Sequence, residues 1–567
     1  AKPVLDEVKG EPTERGRLAR EVLEKNAILD TIQKTAGLDP SGQVKLQEKR
    51  IQELEAQVKA LQKQAAMGGG GPGDPSGVSS KLLDEIMTNI KTYYVEDGEK
   101  IESKNLIDNA AKGMVGALDP FSSYMTEKET KDFEDSMGGK YAGIGAVVSM
   151  DPKDKILTII RPIYSGPAYR IGLRSLDKIT EVEGEQTYGK TVEELVSKLK
   201  GLPKTKVKIK VFRKGWQKER EFVLEREEIQ LESVHYQMLP GKVGYLSLSQ
   251  FGQNAEDEVE NGLKELEAQG MKALVFDLRS NPGGLLSAAV NISKKFLKDN
   301  KLIVFSKGRN EFIAPYREFH ADDPNATHPD YPVVVVVNHA SASASEIVSG
   351  ALQDQHRAKL VGENTFGKGS VQQLMKVKAT NEKSTLRLTI AKYYLPSGRS
   401  IHRDEKTGKG GVDPDIVVET DTEPAWVIQE ADKLLETGAV EKFVAKLWQD
   451  NKELMTKLAT FDKLDTASYP GFDEFYGGLQ TRLEKNHVRK LIRAQIRRLV
   501  QDERGKEFAV DLEEDSQLQR SVYEDLKSLG EDPAQFEEYA YFPAKFDKAG
   551  SNAKKPENEK QAGEAVR

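Results

Sequence analysis

The chain has 567 residues, room for several domains at about 100–200 residues each and for at least one sizeable core. Its 84 Lys and Arg against 91 Asp and Glu give a net charge of −7, which argues against nucleic acid as the general partner. It has no cysteine, which removes thiol nucleophiles, disulfides and zinc–thiolate sites together. No run of about 18 apolar residues occurs, so no membrane-spanning helix is expected. The opening AKPVLDEVKG lacks the basic and apolar stretches of a signal peptide, so any such signal is expected to have been removed.

Residues 1–66 are polar and helix-prone. A heptad can be written with Val44, Ile51, Val58 and Ala65 at a, and Gln47, Leu54 and Leu61 at d. Three heptads are the minimum for a coiled coil, so self-association and a single amphipathic helix both remain open. MGGGGPGDPSGVSS, residues 67–80, reads as a flexible linker. Residues 81–140 hold two helices by apolar spacing, KLLDEIMTNIKTYYVE and NLIDNAAKGMVGAL, closed by a turn at LDPFSSYMT.

From 141 to 227 the texture changes to short strands with glycine punctuation, such as GIGAVVSM, KILTIIRPI and KVKIKVFRK, with one short helix at TVEELVSKLKGLP. That predicts a compact, mostly β module. From 228 to 420 strands and helices alternate. PVVVVVN is apolar on consecutive positions, which predicts burial on both faces at the centre of an α/β sheet. Residues 421–546 are again helical and charged, and 547–567 read as a disordered tail. Within the helical part, RLEKNHVRKLIRAQIRRLV sets Arg482, Lys485, Arg489, Lys490, Arg493, Arg497 and Arg498 opposite an apolar stripe. The expectation there is a solvated outer face with salt bridges, with docking to a partner or an anionic surface as the alternative.

The chemistry concentrates in NHASASASEIVSGALQD, where Ser341, Ser343 and Ser345 sit between the buried strand and a helix. Ser343 to Glu346 fits the S-x-x-E capping box, so Ser343 is either a helix cap or a nucleophile. A strand-to-helix corner is where α/β proteins expose reactive groups, and the helix start offers the unpaired Ala344 N–H to an oxyanion. His339 and His356 are close in sequence, with surface roles expected. Lys368, between Gly367 and Gly369 in GENTFGKGSVQQ, is the better base, provided burial lowers its pKa. The same stretch nearly matches a phosphate-binding loop but has Gly369 at the Ser/Thr position and runs on as a strand. DLRSNPGGLL supplies a glycine turn that could hold a second oxyanion donor.

Taken together, SASASEIVSGALQDQHRAKLVGENTFGKGSVQ, DLRSNPGG upstream and KYYLPSGRSIH…GVDPDI downstream resemble the C-terminal processing peptidases, or tail-specific proteases, over roughly 81–418. The resemblance implies a multidomain α+β chain. It would have an α/β protease core at 228–420, a small β-rich PDZ domain at 141–227 and helical N- and C-terminal regions. It also implies a serine endopeptidase in which Ser343 attacks, Lys368 (25 residues later) takes the proton and Gln372 orients the lysine. The Gly284 and Ala344 N–H groups would form the oxyanion hole. GIGA, SGPAYRIGL and LDKITEVEG resemble a PDZ domain, with LDKI in place of the family's frequent Gly-Asp pair. Ile144, Gly145 and Ala146 would hold a terminal carboxylate, with Val192, Val196 and Leu199 either lining the groove or filling the module's core. The implied partners are proteins with accessible C-termini, and no metal or cofactor is needed. An adaptor or activator and homo-oligomerisation stay open, and the implied location is a bacterial cell envelope or periplasm. The alternative is a catalytically silent scaffold that binds protein C-termini.

Overall fold

The computed structural model describes residues 80–95, 102–309, 311, 313–322, 328–404 and 406–547. The heptad segment, the linker up to residue 79 and the tail beyond 547 lie outside the described residues. Two compact units are distinguished, 1–107 and 108–567. The described part of the first holds the helix Ser80–Tyr93 and the opening turn of the helix Ser103–Gly116, the two helices predicted from apolar spacing.

In the second unit, the LDPFSSYMT turn leads into a short strand, β1 (Ser123–Met125), and the helix Glu127–Met137, started by a Thr126–Glu129 capping box. The β-rich module follows. Its elements are β2 (Lys140–Gly143), β3 (Ala146–Met150), β4 (Leu157–Pro162), β5 (Lys178–Val182), β6 (Glu185–Gln186), α1 (Val192–Leu199), β7 (Lys206–Phe212), β8 (Arg220–Glu225) and β9 (Glu227–Gln230). Five strands pair in the order β3-β4-β5-β7-β8, β6 joins β5, and β2 pairs with β9. Val207, Ile209 and Val211 alternate inward along β7 and meet Leu157, Ile159, Leu195 and Leu199 in a core of the module's own.

The larger core is built from β10 (Val234–Leu239), β11 (Val243–Leu248), α2 (Ala255–Ala268), β12 (Ala273–Asp277), α3 (Leu286–Lys294), β13 (Lys301–Gly308), β14 (Arg317–Ala321), β15 (Val333–Val337), α4 (Ala344–Asp354), β16 (Lys359–Gly362), β17 (Ser370–Lys376), β18 (Thr385–Tyr394) and β19 (Ile416–Val417). The central sheet runs β10-β11-β12-β15-β16-β19, parallel throughout except for the β10–β11 hairpin. A second, antiparallel sheet runs β1-β18-β13-β14, with β17 also on β18. The predicted central position of PVVVVVN is the observed one: β15 lies between β12 and β16, and all five valines are buried. Val333, Val335 and Val337 face the core formed with α2, α3 and α4, while Val336 faces the opposite side.

What covers that opposite side is a departure from the expected organisation. The helices Ala425–Glu436, Ala439–Asp450, Lys452–Thr460 and Phe472–Gly477 pack with α5 (Lys485–Arg504) around a core of their own. α6 (Ser516–Leu529) and the helix Phe542–Phe546 instead lay Leu518, Val522, Leu526, Phe542 and Phe546 onto Tyr245, Val275 and Val336. The end of the C-terminal region is therefore the second layer of the protease sheet, since a sheet apolar on both faces needs a cover on each.

α5 also corrects the expectation of a solvated basic face. Arg489 and Arg493 are fully buried. Arg489 pairs with Asp462 and Glu514, and Arg493 with Asp511 at 2.6 Å and Glu513 at 3.0 Å. Acids from the 462 turn and the 511–514 segment fold over the face, and a guanidinium is tolerated inside only when so paired. Lys485 and Lys490, further out, pair with Asp473 and Glu423.

Candidate active site

The three serines separate by accessibility. Ser341 and Ser345 are fully buried and cross-link the 278–284 loop to the corner after β15. Ser341 Oγ donates to the Leu278 carbonyl at 2.8 Å, and Ser345 Oγ to the Asn281 carbonyl at 2.9 Å. Ser343 alone of the three is partly exposed. It sits at φ 55°, ψ −109°, a conformation that costs a non-glycine residue ~1–3 kcal/mol and persists only where surroundings enforce it.

The enforcing group is Glu346. The carboxylate end of the S-A-S-E box accepts from the Ser343 N–H at 2.8 Å, as capping requires. The same oxygen accepts from the Lys368 N–H at 2.8 Å, and the other from the Gly367 N–H and the Thr365 hydroxyl, both at 2.6 Å. Glu346 is wholly buried. Burial raises its pKa, and the four donated bonds work against that. One carboxylate thus joins the backbone of the serine corner to that of the lysine loop. The sequence flagged Glu346 only as a capping partner, because its other three donors lie about twenty residues downstream.

The glycine turn reaches the same corner. A Cβ on Gly283, at φ 98°, would lie 2.7 Å from the Ala342 carbonyl oxygen and 3.0 Å from the Ala344 nitrogen. Gly284, at φ 150°, forms a parallel bridge with Phe251, in which the Phe251 N–H donates to the Gly283 carbonyl and the Leu285 N–H to the Phe251 carbonyl. Both ladder bonds use the neighbours of Gly284, so its own N–H points away from Phe251. Among the described residues, the Gly284 and Ala344 N–H groups donate no hydrogen bond. Asn281 holds the turn, accepting from the Gly283 N–H at 2.9 Å and donating to the Leu248 carbonyl at 2.7 Å.

Lys368 enters from the loop before β17. Gly367 and Gly369 are required by the close approach of residues 402–403, since a Cβ on either would fall within 2.6 Å of that chain. Arg403 donates to the Phe366 carbonyl at 2.9 Å and the Thr365 carbonyl at 2.6 Å, fixing the loop from outside. The Lys368 side chain is half-buried, and burial pushes its pKa below the ordinary lysine range. The Arg387 guanidinium acts in the same direction and the Glu346 carboxylate against it. No hydrogen bond joins Lys368 Nζ to Ser343 Oγ; the ammonium lies 5.1 Å from the centre of the Phe121 ring.

Other expected residues are placed differently. Gln372 does not bond to Lys368: its amide donates to Ser370 Oγ at 2.7 Å and Thr389 Oγ1 at 3.2 Å. His339 has an acid partner, Glu363 at 3.2 Å, but its side chain is 79% exposed, and His356 is exposed too. In the β module, Ile144 and Leu199 are buried core residues, whereas Val192 and Val196 are half-buried, with Val192 packed against that core beside Ala146 and Val148. Leu199 therefore packs inward, four positions from Leu195 on one helix face. Gly145, at φ 72°, packs against Gly166 and Pro167 where a side chain would crowd them.

A family model described as peptidase family S41 matches residues 242–418. The chain is 36% identical over 339 residues to a carboxy-terminal-processing protease of Bartonella bacilliformis, covering 59% of this chain and 74% of that protein. The chain belongs to peptidase family S41, with the C-terminal processing peptidases. This S41 peptidase is also 36% identical over 380 residues to a carboxyl-terminal-processing protease of Synechocystis sp., covering 64% of the chain and 85% of that protein. A solved structure of a photosystem II D1 C-terminal processing protease shares 26% identity over 60% of the S41 peptidase and 93% of that chain, with a TM-score of 0.35. Membership makes the chain a serine protease.

Proposed function

We propose that the S41 peptidase cleaves peptide bonds by a Ser343–Lys368 acyl-enzyme mechanism, on protein substrates selected by their C-terminal tails. The observation that carries this reading is the corner itself. It combines a strained, accessible Ser343, two uncommitted N–H groups beside it and a half-buried lysine tied to the same carboxylate. Neutral Lys368 takes the Ser343 proton as the hydroxyl oxygen attacks the scissile carbonyl. The oxyanion rests on the Gly284 and Ala344 N–H groups, the amine leaves with the proton, and water releases the acyl group. Gln372 joins Lys368 only if the lysine loop rearranges.

The β module fits the PDZ role. β3 ends its sheet, so an extended tail can add to its free edge while the Ile144-Gly145-Ala146 loop receives the terminal carboxylate. Val192 and Val196 would form the far wall. No helix of the described residues is long and apolar enough to cross a membrane. The bacterial relatives support a cell-envelope or periplasmic location.

The separation of Lys368 from Ser343 favours a second reading, a binding scaffold silent until a partner or activator arrives. Digestion of unfolded casein by the wild type, Ser343→Ala and Lys368→Ala separates them. The protease reading expects cleavage by the wild type and a loss of ~10³-fold or more in each variant. Equal cleavage by all three removes the mechanism, and no cleavage by the wild type favours the scaffold. Amidating the terminal carboxylate of a binding peptide should weaken its affinity; unchanged affinity removes the PDZ role.

A further inference from the structure

The LDPFSSYMT segment has no part in the mechanism above, yet it is built with more care than a connecting turn needs. Asp119 Oδ1 accepts from the N–H groups of Phe121 and Ser122, both at 2.8 Å, and Oδ2 accepts from the Ser122 hydroxyl at 2.7 Å. Ser122 Oγ in turn accepts from the Thr389 N–H at 3.0 Å, and β1 pairs Ser123 with Arg387 on β18. The segment is thus pinned to the strand that also anchors Gln372 through Thr389 Oγ1. At the site it places Phe121 beneath the Lys368 ammonium.

Phe121 is half-buried and packs edge-on against Phe366, with centroids 6.4 Å apart at 73°. Phe366 begins the Phe-Gly-Lys turn, and its N–H donates to the Ser341 carbonyl, so the ring pair touches the lysine loop where that loop joins the serine corner. Both rings border a cavity of about 840 Å³, also lined by Asp119, Thr389, His402 and Arg403. Phe121 therefore has open space beside it. The charged groups acting on the amine are Arg387 from β18 and Glu346 from α4. Neither bonds to it, which leaves the ring face as its close neighbour of favourable sign.

We propose that Phe121 is a positioning residue for the Lys368 amine, its ring face parking the charged amine away from Ser343 and releasing it when the ring turns toward the cavity. This rests on the Ser343–Lys368 reading and adds a third member, one that acts through the lysine and touches no reacting atom. A quadrupole favours the charged form over the neutral one, so the ring holds the base in the state that cannot accept a proton.

The test is the pH dependence of Ser343 phosphonylation by a fluorophosphonate. In that reaction the oxygen–phosphorus bond forms, fluoride leaves and Lys368 takes the proton. Wild type, Phe121→Leu, Phe121→Tyr and Lys368→Ala are compared. A further protein carries 3,4,5-trifluorophenylalanine at 121, of nearly the same shape but with a weakened quadrupole. The wild-type rate is expected to rise with pH as the amine loses its proton. In Phe121→Leu and the fluorinated protein that rise should move to lower pH by about 0.5–1 unit, and Phe121→Tyr should keep the wild-type midpoint. The inference is overturned if the fluorinated protein keeps the wild-type midpoint, even where Phe121→Leu loses rate at every pH. The fluorinated protein decides the matter should the leucine variant not fold. If Lys368→Ala reacts at the wild-type rate, the Ser343–Lys368 reading itself fails. If Lys368→Ala is inert and the midpoints coincide, only the role of Phe121 falls.

Discussion

Two regions of this protein bury a carboxylate completely and treat it in opposite ways. In the serine corner, Glu346 is saturated by four donors from the serine turn and the lysine loop. On α6, Asp525 is equally buried, but neither of its oxygens has a hydrogen-bond partner. Burial pushes its pKa well above the ordinary range, Glu524 adds to this, and Lys359 and Arg357 oppose it. A buried carboxylate surrounded by N–H groups fixes geometry to tenths of an ångström, whereas one without donors is neutral bulk between a helix and a sheet. The contrast separates a corner whose geometry is fixed by bonds from a layer that serves as cover.

The largest expected effect that tests this contrast is at Gly284. An added Cβ would fall 2.2 Å from the Phe251 carbonyl oxygen, and φ 150° strains any other residue. Gly284→Ala should displace the N–H proposed as an oxyanion donor and lower kcat by ~10²–10³-fold, read in peptide hydrolysis. Near-wild-type kcat would mean that this N–H is not an oxyanion donor. Glu346→Gln comes next. Its amide NH₂ would face at least one N–H donor whichever way it turned, and kcat should fall by ~10–10²-fold with ~1–3 kcal/mol of stability lost in urea unfolding. If stability falls and kcat does not, Glu346 braces the fold without setting the site.

Asp525→Leu should do the reverse, leaving kcat unchanged and raising stability at neutral pH by ~1–3 kcal/mol. A loss of stability would show that the carboxyl group makes a bond after all. The smallest effect concerns Glu513, which burial raises to about 7. A folded value above the ordinary carboxylate value means its contribution is full below about 4.5 and is lost as pH rises through 7. The wild-type melting temperature should therefore fall relative to Glu513→Gln between pH 4.5 and 7, by a few degrees. Parallel curves for the two proteins would remove Glu513 as the cause.

What the sequence disclosed follows the range of the interactions. The strand-to-helix corner, the capping box, the glycine turn and the buried valine strand are written in adjacent residues, and they form where predicted. Their connections are not local. Glu346 to Lys368 spans the β16 strand, Phe121 to Lys368 spans most of two modules, and α6 covers β15 from nearly two hundred residues downstream. Arg489 and Arg493 read as a surface stripe for the same reason, because the acids that enclose them come from other segments. Ser343 stood out because its neighbours announce a corner. The ring beside the Lys368 amine could not be read there, since Phe121 lies about 250 residues earlier.

The most direct measurement is to label the protein with a fluorophosphonate and locate the adduct by mass spectrometry. The account requires a single adduct on Ser343, none in Ser343→Ala, and labelling slowed ~10³-fold or more in Lys368→Ala. An adduct on another residue, or labelling of Lys368→Ala at the wild-type rate, would contradict it.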